Sequence, residues 1–164
     1  MDIYVDGSVR HPVTSAKAST KRRNKKPGAG YAIVTDDKIM MKSYSTAIGV
    51  HFMEFLALLT AIRLAKPGDV IYTDQKTLIE CIETYGDPTV SNRIRPCNHI
   101  IKSQILRALK KKGGITLAYL SSKEAKKKPC GSAERLADQF AGFASGAKTK
   151  HVLNYKGDRE VFLL

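Results

Sequence analysis

Ile3-Tyr4-Val5-Asp6-Gly7-Ser8 joins a short apolar, β-prone run to an acid and a glycine. Ile3 to Val5 predicts a first strand, which we expect to end where Gly7 lets the chain turn sharply. Ligands bind at the carboxyl ends of strands in α/β sheets, so an acid at such an end is a candidate ligand. Asp6 is therefore the first candidate site residue.

The segments that follow predict an antiparallel meander. Residues 9–27 are polar and basic and are expected to form a loop insertion. Ala29 to Thr35 and Lys38 to Ala47 then predict two strands, joined by a turn at Asp36-Asp37. Three consecutive antiparallel strands are the simplest arrangement of this part of the chain.

Helical periodicity begins near His51 and ends at Pro67-Gly68. Val70 to Thr73 predicts a short buried strand, and Asp74 can cap the helix that follows it. The remaining predicted elements are a helix over Lys76 to Tyr85, an irregular stretch over Gly86 to Pro96, a helix over Asn98 to Lys112, a strand over Ile115 to Leu120, a polar loop over Ser121 to Gly131, and a last helix from the N-cap Ser132 to Gly146.

This order predicts an α/β fold with a five-stranded mixed sheet, three antiparallel strands followed by two parallel ones, flanked by helices. Right-handed crossovers would set the first, fourth and fifth strands side by side. Residues 1–146 are expected to form this domain, and residues 147–164 form a C-terminal tail that is basic and then apolar. The tail can pack as a strand or bind a partner protein, and the sequence leaves both open.

The charge of the chain favours a polyanionic partner. Lys and Arg number 28 against 15 Asp and Glu, which gives a net charge of +13. The excess is concentrated in three runs, at residues 21–26, 110–112 and 126–128. Any one run could serve only solubility, but three together favour nucleic acid.

The cellular setting predicted from the sequence is a reducing, cytoplasmic one. The first residues lack the features of a signal peptide, and no apolar run is long enough to span a membrane. The three cysteines are widely spaced and form no Cys-x-x-Cys pair, so zinc and redox chemistry are not expected.

Four acids, Asp6, Glu54, Asp74 and Asp138, are candidate metal ligands. Each has a simpler explanation alone, as a turn residue, a helix cap or a solvated helix acid. Parallel strand ends would bring Asp6 and Asp74 together, however, and two close carboxylates repel unless a cation lies between them. In so basic a chain, the set predicts a magnesium site and metal-dependent cleavage of a phosphodiester.

The same residues resemble the type 1 ribonuclease H family over about residues 2–146. The similarity rests on Ile3-Tyr4-Val5-Asp6-Gly7-Ser8, Met53-Glu54-Phe55-Leu56-Ala57, Tyr72-Thr73-Asp74 and Glu134-Arg135-Leu136-Ala137-Asp138. Residues 27–34 are also similar to the family's second strand with its glycine-rich entry. The resemblance implies a ribonuclease H-like domain that cuts the RNA strand of RNA/DNA hybrids and leaves 5′-phosphate and 3′-hydroxyl ends.

By this resemblance, Asp6, Glu54, Asp74 and Asp138 would be the catalytic quartet and would hold two Mg²⁺ ions, with Mn²⁺ as a possible substitute. Asp6 would bridge both ions. Glu54 and Asp74 would complete the site on the leaving-group side, and Asp138 would loosely hold the ion on the nucleophile side.

Several substrate contacts are also expected. Family members commonly carry a histidine in the loop before the last helix, and residues 121–131 contain none. Lysines of that segment are expected to take part of its role by attracting phosphate: Lys123, Lys126, Lys127 and Lys128. The other expected nucleic-acid contacts are Gly7, Ser8, Lys21, Arg22, Arg23, Lys25, Lys26, His51 and Gln75.

Two other functions fit the same sequence. A structure-specific DNA nuclease, similar to Holliday-junction resolvases, would keep the fold and act on branched DNA. A weakly active or inactive module of this fold would only bind nucleic acid, including structured RNA. The presence of all four acids argues against a loss of activity.

Overall fold

The computed structural model describes residues 1–11, 26–46, 48–84, 96–146 and 155–164. Within these ranges the chain forms six strands and five helices. The strands are β1 (Asp2–Arg10), β2 (Gly28–Val34), β3 (Lys38–Tyr44), β4 (Val70–Thr73), β5 (Thr116–Tyr119) and β6 (Glu160–Leu163). The helices are α1 (Val50–Leu64), α2 (Lys76–Glu83), α3 (Pro96–Lys112), α4 (Ser122–Lys127) and α5 (Ala133–Ala144).

The strands form one mixed sheet in the order β5-β4-β1-β2-β3-β6. The meander β1, β2 and β3 is antiparallel, and β4 and β5 continue the sheet parallel to β1. This confirms the predicted class and the predicted neighbours of β1. The predicted number of five strands is wrong, because part of the tail, β6, pairs in parallel with β3 from Lys38↔Glu160 to Met41↔Leu163.

The first strand is longer than predicted. Instead of ending at Asp6, β1 continues to Arg10, and Gly7 and Ser8 pair with β2. The predicted insertion 9–27 therefore begins with two residues of a strand. Four of the residues in it that were expected to contact nucleic acid, Lys21, Arg22, Arg23 and Lys25, lie outside the described residues.

Two hydrophobic clusters pack on opposite faces of the sheet. One cluster is formed by the sheet, by α1 on its face and by α3 packed on α1, and it includes Ile3, Val5, Ile33, Leu58, Ile62, Ile71 and Ile105. The other packs against α5 and includes Ala32, Val34, Ile39, Leu136, Phe140 and Ala141. A Cβ at Gly30 would lie 2.6 Å from Ala144, so glycine lets α5 approach β2 closely. None of the helices in the described ranges is long and apolar enough to cross a membrane.

Two local predictions are wrong, one about a loop and one about the N-cap of a helix. The predicted polar loop over 121–131 contains α4, which starts with a capping box formed by Ser121 and Glu124. Asp74 does not cap α2. The N-cap position is Gln75, without a side-chain cap hydrogen bond, and the Asp74 carboxylate accepts a hydrogen bond from Ser122 instead.

Candidate metal centre

The register between β1 and β4 brings Asp6 and Asp74 to one edge of the sheet. Tyr4 pairs with Tyr72 in the parallel ladder, and the two rings stack with centroids 4.9 Å apart. Asp6 lies two residues after Tyr4, and Asp74 lies two residues after Tyr72. Since residues two apart on a strand face the same side of a sheet, the two carboxylates lie side by side next to the stacked rings.

Glu54 joins them from α1 because of the glycine that follows Asp6. A Cβ at Gly7 would lie 2.7 Å from the Glu54 amide nitrogen and 2.9 Å from the Met53 carbonyl carbon, so only glycine allows this approach of α1 to β1. The Gly7 N–H also donates a hydrogen bond of 2.9 Å to Glu54 Oε1. Gly7 thus positions both the helix and the carboxylate, rather than forming the predicted turn.

The three carboxylates form a compact site made only of oxygen donors. One oxygen of each of Asp6, Glu54 and Asp74 lies within 4.8 Å of the other two. Glu54 Oε2 and Asp74 Oδ1 are buried without a hydrogen-bond partner among the described residues. Buried polar atoms rarely lack a partner, and carboxylate oxygens are the ligands that Mg²⁺ and Mn²⁺ prefer. The donor set therefore fits a divalent cation.

The electrostatics of the site also favour the binding of a cation. Burial and then the Asp74 carboxylate raise the pKa of Asp6 to about 7. Burial and then the charge of the Asp6 carboxylate raise the pKa of Glu54 well above its ordinary value. In the metal-free protein the pair therefore holds a proton near neutral pH, and a bound cation would take the place of that proton.

We expect Asp6→Asn to stabilise the metal-free protein by about 4 kcal/mol near pH 7, and by much less near pH 4. The folded protein keeps a proton on Asp6 up to a pKa of about 7, whereas the unfolded chain releases it near 3.8. Between these values Asp6 ionises in the unfolded chain but not in the folded protein. The free energy of unfolding therefore falls as the pH rises, and asparagine avoids that loss. Urea unfolding of both proteins in EDTA measures the difference, and a difference that is constant with pH would contradict the expectation.

Asp138 lies at the open side of the same site. It is exposed on α5 and lines, together with Asp6 and Asp74, a cavity of about 380 Å³ between the ends of β1 and β4 and the helices α4 and α5. Its charge contributes to the raised pKa of Asp6. Asp138 is not part of the close group of three carboxylates, so its position differs from that of Asp6, Glu54 and Asp74.

The predicted nucleic-acid contacts are distributed unequally around this cavity. Lys126 lines it, whereas Lys123 and Lys127 are exposed on α4 without lining it, and Lys128 is the C-cap of that helix. His51 is exposed in the first turn of α1, Gln75 is half-buried at the N-cap of α2, and Lys26 is exposed before β2.

Gly7 and Ser8 make contacts inside the fold. Gly7 is buried against α1, and the Ser8 hydroxyl lies 2.9 Å from the Ser145 hydroxyl of the α5 C-terminus. A nucleic-acid contact of either residue stays a prediction, as it does for the lysines and for His51 and Gln75.

Ser122 is a site residue that the sequence analysis did not identify. Its hydroxyl donates a hydrogen bond of 2.7 Å to Asp74 Oδ2. The available signal was the pattern Ser121-Ser122-Lys123-Glu124, in which Ser and Glu three residues apart predict the start of a helix. That signal would have placed Ser122 on a helix, although the contact with Asp74 depends on the tertiary structure.

The sequence itself matches no family model and no curated protein. The structure is similar to RNase H1 from the halophilic archaeon Halobacterium salinarum NRC-1, with a TM-score of 0.58 and 12% identity over 87% of this chain and 95% of that one. It is also similar to a foamy viral protease-reverse transcriptase in complex with dsDNA, with a TM-score of 0.62 and 20% identity over 88% of this chain and 92% of that one.

A third similar structure is the native prototype foamy virus protease-reverse transcriptase, with a TM-score of 0.58 and 17% identity over 90% of this chain and 20% of that one. These similarities agree with the order of the strands, in which an antiparallel meander is extended by parallel strands on the β1 side. The chain therefore has a ribonuclease H-like fold.

Proposed function

We propose that this chain is a metal-dependent endonuclease that hydrolyses the RNA strand of RNA/DNA hybrids. The observation that carries the proposal is the group of carboxylates from Asp6, Glu54 and Asp74, which lie within 4.8 Å of one another on a ribonuclease H-like fold. Buried carboxylates that only stabilise a fold normally have hydrogen-bond partners. Carboxylates that bind a divalent cation instead need oxygens that no other group occupies.

Asp6, Glu54 and Asp74 would hold two Mg²⁺ ions, or Mn²⁺ in their place, with Asp138 at the open side. When bound, such ions activate a water for in-line attack and stabilise the departing 3′ oxygen. The protein contributes the orientation of the carboxylates. The Gly7 N–H fixes Glu54, and the Ser122 hydroxyl fixes Asp74.

The charge of the chain supports a nucleic-acid substrate. Its net charge is +13, and lysines of α4 stand next to the acidic cavity. Basic residues around an acidic cleft attract the phosphate backbone, while the acids inside it remain available for cations. The structural similarity to an RNase H1, and to a protease-reverse transcriptase in complex with dsDNA, supports the same class of ligand.

The test is a cleavage assay with end-labelled RNA/DNA hybrid, single-stranded RNA, duplex DNA and a four-way junction, in Mg²⁺, in Mn²⁺ and in EDTA. We expect cleavage of the RNA strand of the hybrid, with no cleavage in EDTA or by Asp74→Asn. A matched control is Asp36→Asn, since Asp36 is an exposed acid in the β2–β3 turn, far along the sheet from the site. This control should cleave like the wild type.

Each other outcome of that assay rejects the proposal in a specific way. Cleavage of the junction without cleavage of the hybrid would identify a structure-specific DNA nuclease. Binding of the hybrid without cleavage in either metal would identify a nucleic-acid-binding module. Cleavage that Asp74→Asn retains would point to a contaminating nuclease or to a different site.

A further inference from the structure

One face of α4 belongs to the candidate site. Ser122, Ala125 and Lys126 line the acidic cavity. Ser122 and Lys126 are four residues apart, so they lie on the same face of the helix one turn from each other. Lys123 and Lys127 are exposed and do not line the cavity.

The start of α4 is fixed by two sets of hydrogen bonds. In the capping box, the Glu124 N–H donates to Ser121 Oγ at 3.2 Å, and the Ser121 N–H donates to Glu124 Oε2 at 3.0 Å. The Ser122 hydroxyl donates to Asp74 Oδ2, which attaches this first turn to the end of β4. The other oxygen of Asp74 has no hydrogen-bond partner among the described residues, so Ser122 is the contact that orients this carboxylate.

Two cations line the cavity, and their surroundings differ. The Arg135 guanidinium already donates hydrogen bonds to the Lys128 carbonyl oxygen and to Cys130 Sγ. The Lys126 side chain is exposed, and no ion pair in the described part of the chain involves it. Its ammonium is therefore the cation on this wall with all of its donors available to an incoming anion, whereas Arg135 uses Nη1 within the fold.

We propose that Lys126 binds a backbone phosphate of the substrate at this cavity and that Ser122 is a positioning residue for Asp74. A phosphate that enters a cavity lined by Asp6, Asp74 and Asp138 meets negative charge, and an ammonium on the same wall reduces the repulsion. The Ser122 contact holds α4 against β4, which keeps Lys126 beside the carboxylates. The inference rests on the proposed function and names one lysine of the four on this segment.

The test of Lys126 compares Lys126→Ala with Lys66→Ala, an exposed lysine before β4, at the end of that strand away from Asp74. In EDTA, where no cleavage occurs, we expect Lys126→Ala to weaken hybrid binding several-fold and to reduce the slope of log affinity against log salt by about 1. In Mg²⁺, we expect about a tenfold loss of kcat/KM for Lys126→Ala and less than about a twofold loss for Lys66→Ala. Lys126→Arg should retain most of the binding.

The test of Ser122 uses metal affinity as a readout. We expect Ser122→Ala to weaken Mn²⁺ binding, measured by calorimetry, by about tenfold, because residues that orient metal ligands typically contribute that much. Ser122→Thr keeps the hydroxyl and should restore the affinity. Thermal melts in EDTA verify that the variants are folded.

Equal losses for Lys126→Ala and Lys66→Ala would overturn the assignment of Lys126, since the loss of one positive charge anywhere on the protein would then explain both. Equal Mn²⁺ affinities for the wild type and Ser122→Ala would overturn the role of Ser122. Neither result would affect hybrid cleavage by the wild type. A wild type that fails to cleave would reject the proposed function, while binding in EDTA and Mn²⁺ affinity would still test this inference.

Discussion

Asp6→Asn is expected to lower the rate of hybrid cleavage by about 1000-fold or more, because it removes the most central of the three close carboxylates. Asp6 lies beside Asp74 through the β1–β4 register, and one of its oxygens lies within 4.8 Å of an oxygen of Glu54. Steady-state cleavage of labelled hybrid in saturating Mg²⁺ measures the effect.

The same substitution should abolish the stabilisation of the protein by Mg²⁺ or Mn²⁺, although it stabilises the metal-free protein. Opposite effects on stability and activity distinguish a lost ligand from a damaged fold. Asp2→Asn is a matched control, since Asp2 is an exposed acid on the same strand. Asp138→Asn should have a smaller effect than Asp6→Asn because Asp138 is exposed at the open side of the cavity. Wild-type activity of Asp6→Asn would contradict the metal site.

Gly7→Ala is expected to destabilise the protein by about 3 kcal/mol and to reduce cleavage. The added Cβ would lie 2.7 Å from the Glu54 nitrogen and 2.9 Å from the Met53 carbonyl carbon, which are backbone atoms of α1. The helix must shift to make room, and Glu54 shifts with it. Urea unfolding gives the change in the free energy of unfolding, and Mn²⁺ affinity reports the displacement of Glu54.

Gly49→Ala is the control for this substitution. A Cβ at Gly49 would meet no atom within 4 Å, and the backbone φ of −57° suits alanine. Gly49 precedes the same helix, α1. The comparison therefore measures the effect of the steric clash at Gly7 against that of a glycine with space for a Cβ. Because Gly49 is the N-cap of α1, where alanine is somewhat less favourable than glycine, we expect the control to lower the free energy of unfolding by about 1 kcal/mol or less. Equal changes in the free energy of unfolding for the two substitutions would contradict the close packing of α1 against Gly7.

The elements with a strong local pattern could be predicted from the sequence. β4 has the predicted bounds, and α1 begins one residue before His51, because alternating or periodic apolar residues and the Pro67-Gly68 stop are local signals. The parallel arrangement of β1, β4 and β5 followed from the right-handed crossover rule. The convergence of Asp6 and Asp74 at one edge of the sheet followed from the same rule.

What the sequence did not show depends on contacts between distant segments. Gly7 was interpreted as a turn because glycine usually permits one, whereas α1 packs against it and β1 continues. The strand β6 has only four residues, too few for a clear pattern, and its pairing with β3 is a tertiary contact. The hydrogen bond from Ser122 to Asp74 joins residues 48 positions apart, so no local motif contains it.

The pairing of β6 with β3 also bears on how the protein behaves at high concentration. An edge strand offers unpaired backbone groups to other chains, and a long edge is a template for aggregation. The seven-residue strand β3 is covered by the four-residue strand β6, and the opposite edge, β5, also has four residues. Both ends of the sheet are therefore short, and removal of residues 160–163 would leave the whole length of β3 open to intermolecular strand pairing.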